Sequence, residues 1–196
     1  MIKEALIAIA FVLAVCPIDV AKSGETVAWK RVGNWQIRVD PSLGNACFMI
    51  ASWEQGTILR IGFVSGQSTS NVPYIILGNS YWNSIQEGKD YNLTFRFDNE
   101  KPWSVNAVGF RMGQSVYLLF EVGSWDFVDE FMRKHGVQVA YQGKVIANLR
   151  LTDSFAALKE TANCHVQMAQ AGLQSSQPGR DPFRTPSTVP DRDPFD

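Results

Sequence analysis

The chain is poor in the residues from which active sites are most often built. It has two histidines and three cysteines among 196 residues, and only 19% of it is charged. A nucleophilic triad needs a base within hydrogen-bond reach of a hydroxyl or thiol. His135 falls in the last turn of a helical pattern, where a cation complements the macrodipole, and His165 adjoins Cys164. Neither has the surroundings of a catalytic base, so no catalytic residue is expected, and the cysteine and histidine spacing offers no zinc centre. No glycine-rich phosphate loop is present, because Gly109, Gly113 and Gly123 are scattered among strand ends and turns. No cofactor is expected.

Charge is equally uninformative. The formal net charge is -1, and the basic pairs Lys30-Arg31 and Arg133-Lys134 read as solvated positions. A nucleic-acid partner needs a basic face, so none is expected. Acidic pairs occur at Glu87 with Asp90 and at Asp98 with Glu100, with nothing in the sequence to set them across a cleft.

What the chain does have is an apolar leader and a telling distribution of cysteine. Ala5 to Val15 is an apolar run of about 11 residues, the length of a signal-peptide core and too short to span a bilayer of about 30 Å. Pro17 stops the run, and Ala21-Lys22-Ser23 offers small residues for cleavage after Ser23. Leu13-Ala14-Val15-Cys16 also reads as a lipobox, which makes Cys16 a candidate lipidation site. Either way Cys47 and Cys164 remain, one near each end of the rest. They are expected to pair in an oxidising compartment, closing a loop of about 117 residues and stabilising the fold by roughly 5 kcal/mol. The expected location is periplasmic or secreted, with membrane contact only through the leader or a lipidated Cys16.

Residues 24–171 read as a single domain, mainly β, between a signal peptide over 1–23 and a disordered, proline-rich tail over 172–196. Trp35 to Val39 and Tyr91 to Phe97 alternate apolar and polar residues. Cys47 to Trp53, Ile58 to Val64, Val72 to Leu77, Trp103 to Phe110 and Val116 to Val122 are further short strands, with a bulge expected near Val108. Val137 to Tyr141 and Lys144 to Leu151 form a hairpin about Gln142-Gly143. Short strands split by turn residues predict an antiparallel β-sandwich or a barrel-like meander.

Two α-helices are predicted, over about 124–135 and 153–170. Ser124 caps the first, Trp125, Val128, Phe131 and Met132 form its buried stripe, and Gly136 ends it. Phe155, Leu158, Ala162 and Val166 line one face of the second, and Cys164 lies nearly opposite. Both faces are apolar, so this helix is expected to be wedged between the sheet and another segment.

Most of the aromatics share the inward phase of the strands and read as core. Trp82, in the irregular segment Asn79 to Asn83, is the candidate exposed aromatic for binding. Asn92-Leu93-Thr94 matches a glycosylation acceptor inside a strand. The tail repeats Arg-Asp-Pro-Phe at 180–183 and 192–195, which makes Phe183 and Phe195 candidate anchors of a bivalent linear motif.

The segment from Val145 to Leu158, a strand followed by Asp153-Ser154-Phe155-Ala156-Ala157, resembles the C-terminal end of the invasion-associated locus B proteins. The start Trp35-Gln36-Ile37 followed by Cys47 is similar to their N-terminal strand. The chain differs in having Val39 where a cysteine would stand and in lacking a mid-chain cysteine pair. The resemblance implies an exported, β-rich, non-enzymatic accessory protein of a Gram-negative envelope.

The expected function is therefore an exported accessory or protein-binding module, with a protein as its partner. One alternative is an inhibitor of a hydrolase such as lysozyme, plugging a cleft with the loop Gly66 to Asn71. A less favoured alternative is a carboxylate-dependent hydrolase.

Overall fold

The computed structural model describes residues 25–63 and 73–175. The expectations for Cys16, the cleavage site, Gly66 to Asn71, Phe183 and Phe195 fall outside these residues. Ten strands form one antiparallel sheet: β1 (Val27–Val32), β2 (Trp35–Asp40), β3 (Ala46–Ser52), β4 (Thr57–Gly62), β5 (Tyr74–Asn79), β6 (Asp90–Phe97), β7 (Trp103–Met112), β8 (Ser115–Glu121), β9 (Gly136–Tyr141) and β10 (Lys144–Arg150). Helix α1 (Trp125–Arg133) joins β8 to β9, and α2 (Ser154–Ser175) follows β10. The spatial order is β1-β2-β3-β4-β5-β8-β7-β6-β9-β10, so β1 and β10 are its two open margins.

This is the mainly β, barrel-like meander with two helices that the strand spacing predicts, left unclosed. Trp35 of β2 donates its indole N–H to the Thr152 carbonyl at 3.0 Å, just beyond β10. Strands from opposite ends of the sheet order therefore approach each other, which a flat sheet would not allow. Alternation supplies the reason for one common core. Trp35, Ile37 and Val39, then Cys47, Met49 and Ala51, then Leu93, Phe95 and Phe97 all point to the same buried cluster. Each large side chain so buried contributes about 1.5–3 kcal/mol.

Both helices cover that inner face. Ser124 caps α1 by accepting from the Asp126 N–H at 3.1 Å. Phe127 is the aromatic hub, with edge-to-face contacts to Phe95, Phe97, Trp103 and Phe120 at centroid distances of 5.6, 5.1, 5.7 and 6.3 Å. The buried stripe is Phe127, Val128 and Phe131, with Met132 partly buried against the core. Trp125, the first residue of the helix, instead stands 55% exposed. The helix stops at Arg133 with Lys134 as its C-cap, and Gly136 already opens β9.

α2 presents the face opposite to the one its larger side chains suggest. Ala157, Leu158, Thr161 and Cys164 are buried, whereas Phe155 and Val166 are 56% and 53% exposed. Small residues let the helix lie close to β2 and β3, where a Phe would hold it off. The polar members of this face are satisfied: Ser154 Oγ donates to the Phe131 carbonyl at 3.0 Å and Thr161 Oγ1 to Ala157 at 2.8 Å. With one face open, α2 is not wedged among the described residues.

Two further differences concern strands. β7 runs unbroken without the expected bulge: Ala107 and Gly109 keep the inward phase while Val108 and Phe110 face outward. Gly109 is obligatory, since a Cβ there would collide with the Gln86 backbone. β1 was not evident in the sequence pattern, and its residues are mostly exposed. No helix of the described residues is long and apolar enough to cross a membrane.

Candidate functional site

The β1 side of the molecule is fastened by covalent and ionic ties. Cys47 of β3 is bonded to Cys164 of α2, with Cα atoms 6.0 Å apart and 117 residues between them. On the outer face of the sheet, across β2, β4 and β5, Arg60 Nη2 donates to Asp40 Oδ2 at 2.8 Å and its Nε to the Tyr74 hydroxyl at 2.8 Å. The guanidinium lies 3.6 Å over the Phe48 ring, and both members of the ion pair are buried. Burial pushes the Asp40 pKa up, but hydrogen bonds from Ser42 and Arg60 and the Arg60 charge outweigh it, leaving a net lowering. Burial likewise disfavours ionised Tyr74 and raises its pKa. His165, beside the disulfide and 5.3 Å from the Phe63 ring, has a buried Nδ1 without a partner, and burial lowers its pKa.

The β10 side is different. A groove of about 1140 Å³ runs between β10 and the β3–β4 connection, with Asn34, Trp53, Glu54 and Gln55 on one wall and Arg96, Asn148 and Arg150 on the other. Its geometry follows from the hairpin. Gln142 and Gly143 have φ of 50° and 76°, the two positive values that a tight two-residue turn of type I′ requires, and this fixes the register of β9 on β10. The Leu151 N–H donates to the His135 carbonyl at 2.8 Å. Backbone groups alternate in direction along an antiparallel pair, so those of Leu149 point to β9 and those of Asn148 and Arg150 point into the groove. The Arg150 carbonyl is met by the Trp53 indole N–H at 3.2 Å. The Asn148 N–H and C=O and the Arg150 N–H have no strand partner among the described residues.

The C-terminal end of β10 is clasped. Trp35 and Trp53, stacked edge to face at 5.6 Å, hold the Thr152 and Arg150 carbonyls. Asp153, at φ 64°, presses on Gly33, which is itself at φ 55° and has no room for a Cβ there. The remainder of the β10 margin faces open groove.

Among the described residues, the carboxylates of the acidic pairs are engaged one by one. Asp98 accepts from the His135 and Gly136 N–H groups at 3.2 and 2.9 Å. Partial burial raises its pKa and these bonds lower it by more, so the carboxylate is held ionised. His135 Nδ1 is 3.6 Å from Asp98, but the imidazole is 98% exposed and bonds no hydroxyl among the described residues. The acidic pairs are each engaged separately: Glu87 with Arg111, Asp90 with Asn106 and Glu100 with Lys134.

Of the residues singled out in the sequence, the structure unites Cys47 and Cys164. Trp82 is partly buried and packs against the core, while its neighbour Tyr81 is 78% exposed. Asn92 is exposed on β6, facing away from the core. The groove itself escaped sequence reading, since its walls come from residues as far apart as Asn34 and Arg150.

No family model matches the chain, and no curated protein matches it. Among solved structures, the crystal structure of invasion associated protein B from Bartonella henselae is similar, with 13% identity and a TM-score of 0.48, over 71% of this chain and 96% of that one. The likeness agrees with the resemblance noted in the sequence and, at that TM-score, says nothing of activity or partner.

Proposed function

We propose that the chain is an exported, disulfide-closed β protein that works by binding another protein at the groove beside β10, without catalysing a reaction. The observation that carries this reading is the asymmetry of the sheet. One margin is covered and cross-linked, and the other leaves backbone donors and acceptors facing a roomy polar groove. Unpaired strand edges invite pairing with another chain, and folded proteins that leave one open do so at a binding surface or pay in aggregation. Export is supported by the Cys47–Cys164 bond, because reducing compartments keep such thiols apart.

The test uses the native protein. Cell fractionation with non-reducing mass mapping should recover the Cys47–Cys164 linked peptide from the periplasmic or secreted fraction. A photo-crosslinking residue at position 148 should give a discrete adduct in intact cells, and one on the opposite margin of the sheet, at Lys30 of β1, should not. Recovery from cytoplasm with both thiols free would overturn the reading.

A further inference from the structure

Resting on that reading, we infer that the groove takes a short extended polypeptide segment of a partner protein, added as an eleventh strand on β10, with acidic residues on its outward phase and apolar residues on its inward phase. The backbone decides the class of ligand. Asn148 offers both its N–H and its C=O in the groove and Arg150 its N–H. That spacing, i and i+2 along a strand, is matched by the main chain of another strand. Pairing is confined to Ala147–Arg150, because the register shifts between Val145 and Ala147. At about 3.3 Å per residue this is a stretch of roughly 13 Å.

The side chains decide the sequence pattern. Arg96, Gln138 and Asn148 lie in one row across β6, β9 and β10, and Arg150 lies in the next row of the same outer face. Neither Arg96 nor Arg150 has an ion-pair partner among the described residues. Asp98, the acid nearest to them in the sheet, is already engaged with backbone N–H groups. A carboxylate on the added strand would meet the Arg150 guanidinium directly across the new pair, the favourable cross-strand arrangement, and Arg96, two strands further in, adds positive charge to the same face. On the inner phase Ala147 and Leu149 are buried, so the added strand needs apolar side chains there. A second copy of this chain fits poorly, because pairing β10 with β10 over Ala147–Arg150 would bring Arg150 of both molecules onto one seam with no carboxylate from either strand to meet it.

The experiment uses the full oxidised chain and a fluorescein-labelled peptide alternating glutamate and valine. Fluorescence anisotropy should show saturable binding, weakened about tenfold or more when lysine replaces glutamate or when alternate backbone nitrogens of the peptide are methylated. Hydrogen exchange at the Asn148 and Arg150 amides should slow on binding, and exchange in β1 should not change. Arg150→Glu should reverse the preference between the glutamate and lysine peptides while leaving the melting temperature in place. Equal binding of both peptides, no added protection at those two amides, or protection explained by a concentration-dependent dimer in sedimentation would each overturn the inference. A chain that fails these tests yet still forms its adduct from position 148 in cells would leave the binding-module reading standing with a different ligand class.

Discussion

β1 and β10 both terminate the same sheet, yet they meet their surroundings in opposite ways. β1 carries Lys30 and Arg31, shifts register between Ala28 and Lys30, and lies under α2, whose Glu160 takes hydrogen bonds from Trp29 at 3.1 Å and Lys30 at 3.0 Å. Charge, bulge and covering helix are three devices that blunt a strand edge. β10 has a register shift in its first half only and, among the described residues, nothing over Ala147–Arg150 beyond the Trp53 indole at the Arg150 carbonyl. A margin guarded three ways beside one left open is the contrast on which the proposed binding site at β10 rests.

The comparison can be broken most forcefully at the disulfide. Replacing Cys47 and Cys164 with alanine should lower unfolding stability by up to about 5 kcal/mol, read from denaturant midpoints against the oxidised protein. Amides of β1 and α2 should lose exchange protection first, with the β9–β10 hairpin affected least. Equal loss on both sides would erase the distinction drawn here.

Next in size is the buried ion pair behind the guarded margin. Arg60→Met strands the Asp40 carboxylate and should cost about 3–5 kcal/mol. Because the folded-state pKa of Asp40 is lowered from its ordinary 3.8, its contribution is whole above that value and is lost as pH falls through and below it. The wild-type protein should therefore show an acid-induced loss in that range that Arg60→Met lacks.

On the open side, Trp53→Phe keeps the ring and removes the donor to the Arg150 carbonyl. It should cost about 1 kcal/mol and speed exchange in the β9–β10 hairpin while leaving β1 unaffected. The smallest effect belongs to Glu160→Gln. The Lys30 and Trp29 hydrogen bonds hold the Glu160 pKa down, but the pair is largely solvated, so the loss should stay below about 1 kcal/mol and shrink with added salt. If that substitution instead made β1 pair with other chains, measured as new oligomers in sedimentation, α2 would be the main shield of that edge.

How legible these features are in the sequence depends on how locally they are encoded. β2 and β6 could be read because one face is buried and the other wet, which stamps a period of two on Trp35 to Val39 and Tyr91 to Phe97. β1 could not, since its half-buried residues, Trp29 and Val32, stand three apart beside a register shift and carry no such stamp. One face of α2 departs from the expectation that both are covered: Ala157, Thr161 and Cys164 go in, as does Leu158, while Phe155 and Val166 stay out, because apolar character on a helix does not say whether a second segment lies over it. Cysteine arithmetic found the disulfide, because two thiols left in an exported domain admit one pairing. The groove had no local signal at all. Trp53 and Arg150 stand 97 residues apart, and only the curl of the sheet brings the indole to the carbonyl.

The bond between Cys47 and Cys164 also makes maturation a matter of place. Its second half resides on α2, the last regular element described, so the tie forms only once nearly the whole domain has reached oxidising surroundings. Before then α2 is held only by packing on β2 and β3 and by a few hydrogen bonds such as those of Glu160, and the shield over β1 is a lid without its latch. The same sequence is thus a loosely lidded molecule under reducing conditions and a locked one under oxidising conditions.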